Sequence, residues 1–331
     1  MHAATLPIIS HLAGSESRVP SPESRTDGIT RVDLSELIAL RARAGKPVAH
    51  AIRARDATAG GHVSALRGRG MDYAESRVYQ AGDDARNIDW RRTARSGKWH
   101  TKLFQVEREH SVLLLIDMHA TLRFGTRVRY KSVAAARAAA WLAWTSVRGG
   151  DRVGAMAFGA VHAALDPQGG TRGALAAIGA LARWDAQAAQ HGGADGEPLS
   201  AALERARHLA APGTRIWLLS DGWCVDAMAA SALARLKRRA DVGVVLVIDP
   251  LERNLAPPGS YFFQTPSAKR QVNLASAIAR AQLRDELAQG WRGLATACDA
   301  ASIPRAALAT TDEPDIVLAA LWRRRSTGRN P

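Results

Sequence analysis

From Ser111 onward, unbroken apolar runs alternate with stretches of helical periodicity. The runs at 111–116, 152–158, 215–219 and 242–248 predict strands buried on both faces, since a strand inside a parallel sheet has no solvated side to alternate toward. Apolar residues recur at helical spacing over 127–148, 171–183, 198–210, 226–239, 275–299 and 312–323. This order predicts an α/β fold with a doubly wound, mostly parallel sheet and helices on both faces. Ile303 to Leu308 supplies a final edge strand. Pro257-Pro258-Gly259 and Tyr261-Phe262-Phe263 interrupt the alternation, so about 250–273 reads as a hairpin excursion.

The pattern is different before Ser111. Residues 1–30 mix Pro, Ser, Gly and charges without a period and read as a flexible leader. Asp33 then starts a helix as N-cap, with Glu36 at the third helical position, and Gly45 and Pro47 end it. Short Gly-punctuated segments follow, with strands expected at 76–79 and 98–106. The expected organisation is a leader (1–30), a small N-terminal helix and β-rich segment (31–107), a main domain (108–325) and a tail (326–331).

The segment Arg77-Val78-Tyr79-Gln80-Ala81-Gly82-Asp83-Asp84-Ala85-Arg86-Asn87-Ile88-Asp89-Trp90, continuing to Arg95, packs carboxylates and arginines around one tryptophan. Read structurally, Gly82-Asp83-Asp84 is a turn, Asp89 caps a short helix, Trp90 is core and the arginines pair with the acids. Read functionally, Arg77, Tyr79, Gly82, Asp83, Arg86, Asp89, Trp90 and Arg95 form a partner surface.

Composition narrows the function classes. No apolar run approaches the roughly 18 residues of a spanning helix, and the first residues lack a basic secretory start, so a cytoplasmic protein without a membrane partner is expected. Cys224 and Cys298 stand apart from other Cys and His residues; they read as small buried hydrophobes rather than a disulfide framework or a thiolate zinc site. The net charge of +14 divides as +5, +5 and +4 over 1–110, 111–249 and 250–331. With no basic stripe, arginines in salt bridges are favoured over a nucleic-acid groove.

Three predicted strands end in an acid, at Asp117, Asp221 and Asp249. In a doubly wound sheet such ends share one rim, where ligands bind. Asp117-x-His119-x-Thr121 and the later Leu218-Leu219-Ser220-Asp221-Gly222 resemble a von Willebrand factor A domain whose metal-ion-dependent adhesion site has drifted. Together with the Arg77–Arg95 text and Leu251-Glu252-Arg253, they resemble the bacterial family called domain of unknown function 58, over about Gly68 to Arg325. Members are commonly paired with MoxR-type AAA+ ATPases.

The resemblance implies a von Willebrand factor A-like fold and a non-catalytic adaptor or co-chaperone that works with such an ATPase in assembling, maturing or metal-loading a protein complex. It also implies a degenerate metal site at Asp117, His119, Thr121, Asp221 and Glu197, with Asp195 the other choice for the middle loop. The implied cofactor is a divalent cation, Mg²⁺ or another, or the site is vestigial and hydrogen-bonded. His119 stands where the family has Ser, and imidazole turns such a site away from Mg²⁺.

Two alternatives remain. The arginine excess could serve a polyanion or nucleic-acid binding module. The strand followed by Asp-x-x-x-Thr is also similar to haloacid-dehalogenase-type phosphotransferases, with Asp117 as nucleophile; there His119 would have to replace the acid, and no suitably placed Lys is evident. Phosphate-loop, nucleophile-elbow and zinc-protease motifs are absent from the sequence.

Overall fold

The computed structural model describes residues 8–10, 28–45, 71–80, 83, 85–106, 110–190, 196–264 and 269–326. Gly82, Asp84, Asp195, most of the expected leader and residues 327–331 of the tail lie outside the described residues. The chain divides into two compact units, 1–52 together with 110–331, and 53–109.

The larger unit opens with strand β1 (Ile8–Ser10) and helix α1 (Leu34–Ala39). The smaller unit contains β2 (Met71–Val78), α2 (Trp90–Ser96) and β3 (His100–Val106). The larger unit resumes with β4 (Ser111–Asp117), α3 (Lys131–Arg148), β5 (Arg152–Phe158), β6 (Ala163–Gln168) and α4 (Gly170–Gln190). Next come α5 (Leu199–Leu209), β7 (Arg215–Ser220), α6 (Ala229–Lys237), β8 (Asp241–Ile248) and the single turn α7 (Pro250–Arg253). It closes with β9 (Ser260–Gln264), β10 (Lys269–Asn273), α8 (Ala277–Leu287), α9 (Gln289–Ala300), β11 (Arg305–Ala309) and α10 (Pro314–Ser326).

Among the described residues, six strands form the central sheet in the order β11-β8-β7-β4-β5-β6, parallel throughout except for β6, which runs antiparallel to β5. The pleat divides the core in two. Val112, Leu114 and Ile116 face a cluster built with α1, α3, α4 and α10, whereas Leu113 and Leu115 face one built with α5, α6 and α9. Both faces are covered, which explains why the central strands are unbroken apolar runs. The Ala-rich α3 is buried over nearly its whole length. Trp144 and Trp141 on it donate their ring N–H to the carbonyls of Leu37 (3.1 Å) and Arg43 (3.2 Å), which ties α1 and the turn after it to the core.

Three features depart from the pattern-based expectation. Strand β6 was not foreseen, because its half-exposed alternation and Pro167 belong to a sheet edge rather than a core. The helix expected over 275–299 is two helices that meet at Ala288. Gly290 lies just past that joint; a side chain there would reach Trp223 at 2.6 Å, so packing against the β7–α6 loop shapes the break. The segment after β8 holds the turn α7 as well as the antiparallel hairpin β9–β10, to which β1 adds a third strand.

In the smaller unit β2 and β3 pair antiparallel. Asp89 caps α2 by accepting the Arg92 N–H (3.1 Å), and Gly97 ends that helix in a left-handed conformation.

Candidate functional site

The strand order reverses between β4 and β7, and the carboxyl ends of these neighbours carry Asp117, Ser220 and, one residue on, Asp221. All three are buried. Asp117 is surrounded by donors. One carboxylate oxygen accepts the His119 N–H at 2.9 Å and lies 2.7 Å from His119 Nδ1; the other accepts the Ser220 hydroxyl at 2.5 Å and the Cys224 thiol at 3.5 Å. Burial pushes the Asp117 carboxyl up, but the His119 charge and these hydrogen bonds outweigh it and hold the group below the usual range. For His119, burial acts downward and the Asp117 charge outweighs it, leaving the imidazole above its ordinary value. Burial and the adjacent Asp117 push the Cys224 thiol well up.

The His119 ring is wedged between two glycines. A Cβ on Gly159 would meet it at 2.6 Å and one on Gly196 at 2.1 Å, so both positions require glycine for the ring to lie where it does. Phe158 closes it edge-on at 5.8 Å. Thr121 sits in the short 3₁₀ turn after His119, and its hydroxyl is buried with no hydrogen-bond partner among the described residues.

Asp221 is organised by a residue that sequence reasoning missed. The Lys131 side chain is 0% exposed, and its ammonium lies 2.8 Å from both Asp221 and Glu252. The loop before α3 doubles back so that the Lys131 N–H reaches the Phe124 carbonyl (2.8 Å), and the ammonium rests 5.4 Å from the Phe124 ring centre. Gly125 makes that bend, because a Cβ there would come within 2.2 Å of the Arg129 carbonyl oxygen. A cation in the first turn of a helix opposes the helix dipole, so the two carboxylates must offset both that and its burial. They do: burial pulls Lys131 down, while Asp221 and Glu252 outweigh it and hold the ammonium above the ordinary lysine range. Glu252, which shares one cation with a second carboxylate, is held above its usual range, chiefly by burial.

The third strand-end acid, Asp249, has a structural task. Its carboxylate accepts from Thr126, Thr310 and the Leu251 N–H and forms a capping box with Glu252 over α7. Glu197 is held by Arg205 (3.0 and 2.5 Å) and His162 (3.1 Å).

These contacts test the adhesion-type cation that the sequence suggested. Mg²⁺ requires a near-octahedral shell of oxygens. Of the expected ligands, Asp221 and Glu197 are already neutralised by Lys131 and Arg205, and Asp117 is turned toward an imidazole and a thiol. The donor set does not fit Mg²⁺. Lys131 also supplies a lysine at this rim, but its contacts are with Asp221 and Glu252.

In the smaller unit Arg77 pairs with Asp83 (2.6 Å), and Asp89 accepts from the Ser76 hydroxyl (2.6 Å) as well as capping α2. The Ser76 and Arg92 hydrogen bonds hold the Asp89 carboxyl below its ordinary value. Arg86 and Arg95 are exposed. Trp90 is not core: it is 65% exposed and tilts against Trp99, itself 57% exposed, which also meets Tyr79 at a tilt. As the first residue of a helix of seven, it projects from a unit too small to enclose it.

A family model described as protein of unknown function DUF58 matches residues 75–293. An uncharacterized protein of Mycobacterium tuberculosis strain H37Rv and one of Mycobacterium bovis are each 40% identical over 97 residues, 29% of this chain. The chain spans only 31% of the length of these relatives. Among solved structures, the conserved hypothetical protein BatB of Bacteroides thetaiotaomicron aligns at 14% identity over 66% of this chain and 97% of its own, with a TM-score of 0.41. An aerotolerance-related membrane protein of Bacteroides fragilis aligns at 14% identity over 65% and 98%, with a TM-score of 0.39.

Proposed function

We propose a function from the premise that this chain belongs to the DUF58 family: it is a non-catalytic adaptor or co-chaperone that works with a MoxR-type AAA+ ATPase in the assembly, maturation or metal loading of a protein complex. In this reading the main domain is a von Willebrand factor A-like module, and its rim around Asp117, His119, Thr121 and Asp221 meets the partner. The observation that carries it is how the rim's charges are used. Lys131 pairs with both Asp221 and Glu252 in the interior, and Asp117 is held by Ser220 and His119, an arrangement that keeps a surface in shape.

Affinity purification of the tagged chain from its host, with and without ATP and Mg²⁺, tests the reading. The expected result is an AAA+ ATPase recovered in a nucleotide-dependent way, and less of it with His119→Ala. Recovery of no ATPase under either condition would remove the adaptor reading.

A second reading, polyanion binding, is favoured by one cavity. Arg207, Arg235, Arg238 and Arg239, with Pro212, line a space of about 390 Å³. Glu204 holds Arg207 and Arg235 there, at 2.6 and 2.7 Å. If the cavity takes a polyanion through several phosphates, affinity for heparin or an oligonucleotide should fall by orders of magnitude between about 50 and 200 mM salt.

A further inference from the structure

Once Asp221 belongs to Lys131 and Glu197 to Arg205, the rim's remaining donors are of a different chemical kind. Asp117, His119 and Cys224 each offer one ligand atom, and these atoms all lie within 4.8 Å of one another. Nδ1 of His119 is 2.7 Å from one Asp117 oxygen, and Sγ of Cys224 is 3.5 Å from the other. Donors around a tetrahedral ion stand roughly 3–4 Å apart, so small adjustments convert this hydrogen-bonded set into a coordination shell. Two further observations point the same way. The imidazole is wedged between Gly159 and Gly196 with Phe158 edge-on, which is the preorganisation a ligand needs. Thr121, two residues after His119, has a buried hydroxyl with no hydrogen-bond partner among the described residues.

We propose that Asp117, His119 and Cys224 form a binding site for a borderline-soft transition metal, Zn²⁺ or Co²⁺, and that the site excludes Mg²⁺. Thiolate and imidazole select such ions, whereas a hard cation finds one carboxylate where it needs several oxygens. On binding, the Cys224 thiol and the His119 Nδ1–H release their protons to solvent and the ion takes the place of their hydrogen bonds to Asp117. Ser220 keeps donating to Asp117 and orients it from outside the coordination shell. Three protein ligands leave a fourth position for water or for a side chain of a client. The inference goes beyond the adaptor reading and stands whether or not an ATPase is recovered.

The test is a Co²⁺ titration of the chelator-stripped chain. The expected result is one Co²⁺ per chain with a near-ultraviolet thiolate-to-cobalt charge-transfer band, displaced by Zn²⁺ and indifferent to excess Mg²⁺. The chain has two cysteines, so Cys298→Ser should keep the band and Cys224→Ser should lose it. If Cys224→Ser fails to fold, the wild-type and Cys298→Ser spectra still decide. His119→Gln should lower Co²⁺ affinity by about tenfold or more. Absence of the band in folded wild-type protein, its survival in Cys224→Ser, its loss in folded Cys298→Ser, or its displacement by Mg²⁺ would overturn the proposal.

Discussion

The rim of the central sheet and the signature hairpin of the smaller unit are both rich in acids and bases, yet they use them in opposite ways. At the rim, Lys131, Asp221 and Glu252 are almost entirely removed from water, and each has a charged partner within 2.8 Å. In the hairpin, Arg77 and Asp83 pair near the surface, Asp89 accepts from a hydroxyl and a backbone N–H, and Trp90 and Trp99 face outward. Desolvation explains the contrast. A buried charge that loses its partner cannot turn to water, so the rim is a structural commitment, while the partly exposed Arg77–Asp83 pair of the hairpin can exchange partners at lower cost.

The largest expected effect breaks the rim side of that contrast. Lys131→Met leaves two buried carboxylates facing each other and should lower unfolding free energy by about 3–5 kcal/mol in urea melts. The pH dependence follows from the raised Lys131. A group held above its unfolded value of about 10.4 binds its proton more tightly when folded, so its contribution is complete below that pH and is lost as pH rises through the folded value. The gap between wild type and Lys131→Met should therefore stay level from neutral pH to about 10 and narrow above it. A gap that stays level through the folded Lys131 value would assign the stabilisation to another group.

A smaller effect sharpens the division of labour within the rim. Glu252→Gln should cost about 1–3 kcal/mol, less than Lys131→Met, because Asp221 keeps the ammonium neutralised and the amide oxygen can accept from Lys131, while the amide nitrogen cannot accept the Asp249 N–H that the carboxylate held. Burial holds the Glu252 carboxyl above its usual range, so its ionised form is itself a strain on the folded state at neutral pH. A loss as large as that of Lys131→Met would mean that Glu252, not Asp221, is the principal counter-ion.

The same contrast decides what could be read from sequence. The parallel strands were legible because burial on both faces demands unbroken apolar text, as in Leu113–Ile116 and Val242–Ile248. The positions of Asp117 and Asp221 at neighbouring strand ends were legible for the same reason. Their partners were not. Lys131 begins a helix, where a lone lysine reads as solvated, and it meets Asp221 across 90 residues of chain. Cys224 reads as a small hydrophobe until the loop after β7 brings it to Asp117. The structural reading of the signature put Trp90 inside because tryptophan usually is buried, but a local pattern carries no measure of how much core a unit can build.

The smallest stability effect belongs to the hairpin. Trp90→Ala and Trp99→Ala remove rings that are more than half exposed, so the melting of the folded chain should move by no more than about 0.5 kcal/mol. Their value lies in the second readout. Large aromatics beside exposed arginines are the composition of an interaction surface, and such rings contribute to binding out of proportion to their number. If this hairpin is where the chain meets its partner, the double variant should keep the wild-type urea midpoint while recovering less ATPase in affinity purification. Unchanged recovery together with unchanged stability would assign recognition to the rim. A clear loss of stability would show that the two rings support the hairpin itself, and the division between a committed interior and an adaptable surface would have to be redrawn.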